Sequence, residues 1–170
     1  GQEVMIAPLP LYHIYAFTAN CMCMMVTGNH NVLITNPRDI GAFIKELKNW
    51  RFSCLLGLNT LFVALMDHPD FKTLDFSSLK LTNSGGTALV KATAERWEQL
   101  TGCRITEGYG LTETSPVACT NPYGDQSRLG TVGLPVPGTL VKIINDDGVE
   151  QPLGERGELC IKGPQIMKGY

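Results

Sequence analysis

The chain has 170 residues, 44% hydrophobic and 18% charged, with a net charge of −2. That is enough to bury the core of one domain, or of a domain and part of another. The balance offers no basic patch for nucleic acid. The longest apolar stretch, from Ile14 to Val26 with Thr18 and Asn20 inside it, is shorter than the roughly 20 residues of a membrane span.

Six cysteines sit at irregular spacing, mostly in apolar runs. Cys21-Met22-Cys23 lacks zinc or redox spacing, so all six read as reduced thiols of a cytoplasmic protein. The chain opens on Gly1 without a basic leader and closes abruptly at Met167-Lys168-Gly169-Tyr170. Both ends read as cut, and an internal fragment of a longer protein is expected.

Val4-Met5-Ile6-Ala7, stopped by Pro8 and Pro10, reads as a buried strand. Residues 12–27 read as a helix apolar almost all round, hence interior, ended by Gly28. Val32-Leu33-Ile34 is a strand, and Asn36-Pro37 a helix start with Asn36 as N-cap. Ser53 to Leu56 is the next strand. Asn59, also read as an N-cap, opens a helix whose Leu61, Phe62, Leu65 and Met66 face inward. Leu79 to Thr82 is a strand running into Ser84-Gly85-Gly86. A helix with Trp97 in its core face follows, closed by Gly102; then a short strand from Arg104 to Thr106.

Strands alternating with helices of this length imply βαβ units, hence an α/β fold with a parallel sheet flanked by helices. Such sheets bind ligands at the carboxyl ends of their strands. The glycine turns after 79–83 and after 104–106 should share that edge. Beyond about Asn121 the helical pattern stops and glycines punctuate short β runs, with Asp146-Asp147-Gly148 a strong turn signal. The expected organisation is an α/β unit over residues 1–120 and part of an antiparallel β subdomain over 121–170.

The motif Glu107-Gly108-Tyr109-Gly110-Leu111-Thr112-Glu113-Thr114 carries the most chemistry. The Tyr109 ring, between two glycines, suits stacking on a flat base, or packing at a sheet edge. Thr112 suits a phosphate oxygen and Glu113 a Mg²⁺ ion, although Thr-Glu is also a common helix start. His13 suits a polar cap as well as a site role.

Tyr109-Gly110-Leu111-Thr112-Glu113 resembles the YGxTE motif of the AMP-forming adenylating enzymes: acyl-CoA synthetases, firefly luciferase and the adenylation domains of peptide synthetases. Four more blocks fall in the family's order: Pro8 to His13, Ser84 to Leu89, Gly133 to Gly138 and Gly157 to Gly163. Gly57 to Phe62 and Asp75 to Leu79 resemble bacterial long-chain fatty acid–CoA ligases. The resemblance implies that Tyr109 stacks on adenine, with Gly85, Gly86, Thr87, Glu107, Gly108 and Gly110 around the nucleotide. It implies that Thr112 contacts the α-phosphate, Glu113 holds Mg²⁺ and His13 stands near the acyl carboxylate. The implied reactants are ATP, a fatty acid and coenzyme A, with AMP a product and no nucleic acid partner. The parent protein would be cytoplasmic, with possible peripheral contact at the inner membrane face. The family's phosphate loop would precede Gly1 and its catalytic lysine follow Tyr170, so the isolated fragment is expected to be inactive. A non-catalytic nucleotide-binding module of the same ancestry, and an amino-acid adenylation domain loading a carrier protein, are the alternatives.

Overall fold

The computed structural model describes residues 1–170. Five parallel strands form the body of the sheet: β1 (Val4–Ala7), β2 (His30–Leu33), β3 (Cys54–Gly57), β4 (Leu81–Ser84) and β5 (Ile105–Gly110). Two antiparallel strands, β6 (Val117–Thr120) and β7 (Leu134–Pro135), extend it beyond β5. The order is β2-β1-β3-β4-β5-β6-β7. A separate antiparallel pair, β8 (Leu140–Ile144) and β9 (Glu158–Lys162), makes a second sheet. The α/β architecture expected from the sequence is therefore present, as is an antiparallel unit at its end. β7 falls in the seven-stranded sheet, so the chain leaves that sheet only after Pro135.

Successive strand residues point to opposite faces, and the core divides accordingly. On one face, Ile6 and Leu55 join a cluster of 19 buried residues with α3 (Ile40–Leu47), α4 (Asn59–Asp67) and α5 (Lys91–Thr101). Trp97 is fully buried there, its indole N–H donating to Thr82 Oγ1 at 3.2 Å. On the other face, Met5, Cys54 and Leu56 meet a single helical segment, where the cluster has only 4 buried residues. That segment starts as α1 (Ile14–Ala16), passes through a π-helical turn (Phe17–Met22) and ends as α2 (Cys23–Thr27).

This corrects the interior helix expected over 12–27. Ala16, Asn20 and Met24 form one buried stripe, while Phe17, Met22, Met25 and Val26 are exposed. One helix lies alone on that face, so only the side touching the sheet is covered.

Two expected caps are also corrected. α3 begins three residues later than Pro37 suggested, and its cap is Asp39, whose Oδ1 accepts from the Ala42 N–H at 3.0 Å. Asn36 instead closes a turn by accepting from the Arg38 N–H. Asn59 does not cap α4; its Oδ1 accepts from the Val90 N–H at 3.0 Å, 31 residues away. The first half of the motif, Glu107 to Gly110, is not a turn, because β5 continues through Gly110. Antiparallel pairing of Gly108 with Thr120 and of Tyr109 with Cys119 supplies the ladder that flexible glycines would not form alone. All six cysteines are free.

Candidate functional site

β4 ends at Ser84, whose register partner in parallel β5 is Glu107. β5 runs three residues further, so Gly108, Tyr109 and Gly110 stand past the end of β4, beside the turn at Gly86. Both glycine junctions thus lie next to each other on the carboxyl edge of the sheet, where open α/β sheets hold ligands. Gly86 has φ +80°, a left-handed conformation that glycine adopts without strain.

Two cavities open along this rim. One, of about 400 Å³, lies between the turn from Gly86 to Leu89, the strand residues Glu107 to Gly110 and the loop from Gly130 to Val132. The second, of about 350 Å³, lies between the start of α1 at His13–Tyr15, Asn83, the turn at Thr112–Glu113, and β6. Gly86 and the strip Gly108-Tyr109-Gly110-Leu111 line both. The two cavities adjoin along this strip, which carries Tyr109, and make up the two halves of one candidate cleft. Tyr109 is partly exposed and not sealed in the core.

The residues expected from the sequence divide over this cleft. Thr87 and Glu107 line the first half; His13, Thr112 and Glu113 line the second. Gly85 lines neither. It is buried, and a Cβ there would come within 3.1 Å of the Tyr15 ring, so its place is under that ring. Gly110 is required by a close approach: a Cβ there would run into the Pro116 carbonyl, which accepts from the Leu111 N–H at 2.9 Å.

Glu107 acts as a brace. Its Oε1 accepts from the Gly130 N–H at 2.8 Å, and its Oε2 from the Leu89 N–H at 3.4 Å. One carboxylate therefore ties together the two outer walls of the first cavity. Asn121 secures the same loop, donating to the Thr131 carbonyl at 2.6 Å and accepting from the Arg128 N–H at 3.0 Å. His13 is an N-cap as well as a cavity residue: its Nδ1 accepts from the Tyr15 N–H at 3.2 Å.

Glu113 lies in a three-residue 3-10 turn, Thr112–Thr114, fixed by Thr114. The buried Thr114 hydroxyl accepts from the Leu111 N–H at 2.8 Å. The Glu113 carboxylate accepts from the Tyr170 hydroxyl at 2.9 Å, which pushes the Tyr170 hydroxyl above the ordinary phenol range. The Glu113 carbonyl accepts from the Met167 N–H, so the end of the chain lies against this turn.

The sequence reading did not find Tyr15, Asn83, Asn121 or the loop from Gly130 to Val132. The Tyr15 hydroxyl donates to Asn83 Oδ1 at 2.6 Å, and burial pushes it well above the usual phenol range. A signal existed for Asn83 alone: a polar side chain in a strand, one residue before the glycine turn.

The family model described as "AMP-binding enzyme" matches residues 1–170. The chain is 50% identical over all 170 residues to a long-chain-fatty-acid–CoA ligase of Escherichia coli O6:H1 (strain CFT073), covering 30% of that protein. It superposes on a benzoate CoA ligase from Burkholderia xenovorans LB400 with a TM-score of 0.90 at 26% identity, covering 99% of this chain and 34% of that one. An anthranilate CoA ligase solved with anthranoyl-AMP gives a TM-score of 0.90 at 25% identity, over 97% of this chain and 32% of that one. The chain thus spans about a third of the length of these proteins. With the ordered motifs, the cleft and a match over its whole length, this chain belongs to the AMP-binding enzyme family.

Proposed function

We propose that the chain forms the central part of an AMP-forming acyl-CoA ligase that activates fatty acids. The observation that carries this reading is the strip Gly108-Tyr109-Gly110-Leu111, which has one cavity on each side. An acyl-adenylate has the same plan: a flat base at one end, an acyl chain at the other and a phosphate between them. The likeness to a fatty-acid ligase at 50% identity, and to a structure holding an acyl-AMP, supports it.

In this reading the half near Gly86, Thr87 and Glu107 takes adenine, with Tyr109 stacked on the base. Gly86, where a Cβ position is open on all sides, lets the nucleotide approach the backbone. Thr112, exposed at the rim, donates to an α-phosphate oxygen. The acid lies in the half lined by Tyr15 and Val117, its carboxylate toward His13. A carboxylate oxygen attacks the α-phosphorus, the bond to the β-phosphate oxygen breaks, and pyrophosphate leaves. The coenzyme A sulfur then attacks the acyl carbonyl and AMP leaves. Positioning and charge neutralisation are the main demands of such chemistry.

The donor set at the rim suits Mg²⁺. No group of three or more His, Cys, Asp or Glu side chains converges to form a protein-only cage. A lone carboxylate such as Glu113 is instead the usual partner of an ion that keeps waters and arrives with phosphate. Mg²⁺ held there would neutralise phosphate charge.

We retain the division into an α/β unit over 1–120 and a β unit over 121–170, with β7 stitching the second onto the first. No helix of the structure is long and apolar enough to cross a membrane. A cytoplasmic parent would meet its ATP and coenzyme A there. A long-chain acid partitions into lipid, which is the reason to propose peripheral contact with the inner membrane face.

The test is ATP–pyrophosphate exchange by the full-length parent across acids of graded length. Exchange dependent on a fatty acid supports the reading; exchange driven by amino acids alone, or by no acid, overturns it.

A further inference from the structure

The short turn that carries Glu113 is held from two sides. On its inner side is the buried hydroxyl of Thr114, which accepts from the Leu111 N–H at 2.8 Å. On its outer side lies the chain that leaves β9. β9 ends at Lys162, and Gly163 to Ile166 close a turn, the Ile166 N–H donating to the Gly163 carbonyl at 3.2 Å. Met167, the next residue, donates its N–H to the Glu113 carbonyl at 2.9 Å. The second sheet therefore reaches the Glu113 turn directly through the backbone.

Gln165 pins that connection. Its Nε2 donates to the Val117 carbonyl of β6 at 3.2 Å and to the hydroxyl of Thr139, just before β8, at 2.6 Å. A carbonyl only accepts, so the amide nitrogen and not its oxygen must face Val117. Gln165 Oε1 is buried without a donor, so the two Nε2 bonds alone hold the side chain. The turn is shaped around it: a Cβ at Gly163 would run into Gln165 Oε1 and come within 3.1 Å of Thr139 Oγ1. One side chain thus joins the exit of β9, the entry of β8 and the first residue of β6.

We propose that Gln165 is a positioning residue for Glu113. It fixes the turn after β9 against both sheets, and through Met167 this sets where the Glu113 carboxylate stands on the rim. The inference rests on the reading of Glu113 as the carboxylate that meets Mg²⁺. A three-residue turn has few bonds of its own, and groups that orient an ion's ligand matter nearly as much as the ligand.

The experiment varies free Mg²⁺ in ATP–pyrophosphate exchange by the full-length parent with hexadecanoic acid. Gln165→Met keeps the length of the side chain and removes both donated bonds. Thr139→Val removes one acceptor at nearly constant volume. In Gln165→Met the Mg²⁺ concentration for half-maximal exchange should rise about tenfold, while the KM for the acid stays near its wild-type value. Thr139→Val should move the Mg²⁺ requirement the same way by less, and the double variant should be no worse than Gln165→Met alone. A readout without catalysis is amide hydrogen exchange: it should quicken at Met167 in Gln165→Met and stay at the wild-type rate at the core residue Leu55, which also establishes that the variant is folded. Thr139→Val carries the test alone if Gln165→Met loses the fold. An unchanged Mg²⁺ requirement in the folded variants, or a KM for the acid that rises as much as that requirement, overturns the proposal. A Glu113→Gln parent with the wild-type Mg²⁺ requirement is a different result: it overturns the reading of Glu113 itself, and the proposal with it.

Discussion

Glu107 and Gly130, 23 residues apart, are joined by a 2.8 Å hydrogen bond from the Gly130 N–H to Glu107 Oε1. Because Oε2 of the same carboxylate accepts from the Leu89 N–H, Glu107 sets the distance between the two walls of the proposed adenine half. Glu107→Ala should raise the KM for ATP about tenfold, since a hydrogen bond to a charged group contributes roughly 1.5–3 kcal/mol. Glu107→Gln, which keeps both oxygen-side geometry and length at one position, should recover part of it. The measurement is ATP titration of exchange in the full-length parent. Equal KM values in all three proteins would show that the brace does not shape the site.

Tyr109 lies on the strip between the halves, and base stacking on an aromatic ring contributes roughly 1–3 kcal/mol. Tyr109→Ala should weaken ATP about 5- to 150-fold, while Tyr109→Phe, which keeps the ring, should stay within about threefold. A large loss in Tyr109→Phe would mean that the hydroxyl, not the ring face, carries the contact.

Glu113→Gln should remove most exchange while leaving thermal unfolding within a few degrees of wild type, since the side chain lies at the surface of a short turn. The same variant weakens the partner of the Tyr170 hydroxyl. The Tyr170 absorbance titration should therefore move back down toward the ordinary phenol range in Glu113→Gln, a readout independent of catalysis.

How much was legible follows from which interactions are local. The hydrophobic pattern located β1, β3, α4 and Trp97 because each reports its own neighbours in sequence. The motif was legible as chemistry because a ring, two glycines, a hydroxyl and a carboxylate were contiguous. Asn59 misled because a polar residue before an apolar run has the form of a cap, whereas its partner, Val90, lies 31 residues on. The 12–27 helix misled because composition cannot tell a helix buried all round from one with a single covered side. The loop at Gly130 entered the site only through Glu107 and Asn121, and no local pattern announces such ties.

Asn59 itself gives a stability prediction. The Val90 N–H opens α5 with no side-chain cap of its own, and Asn59 Oδ1 is its partner. Asn59→Ala should cost about 1 kcal/mol, read as a lower urea midpoint with an unchanged m-value. If α5 alone frays, hydrogen exchange should quicken at Thr93 and Ala94, whose N–H groups bond to the Val90 carbonyl. Wild-type exchange there would mean that Val90 is held by the packing of Leu89.

Burial raises the Tyr15 hydroxyl well above its unfolded value near 10. A phenol whose folded pKa is raised stabilises the fold fully below the unfolded pKa and stops doing so as pH climbs through the folded one. Between those two values the unfolded chain has released a proton that the folded chain keeps. Stability must then fall as pH rises from about 10. Urea unfolding of this chain at successive pH values above 10 should show that decline, and Tyr15→Phe should show a shallower one, because it removes one titrating group from the unfolded state. Identical slopes would mean that the Tyr15 hydroxyl ionises as readily in the folded chain as in the unfolded one.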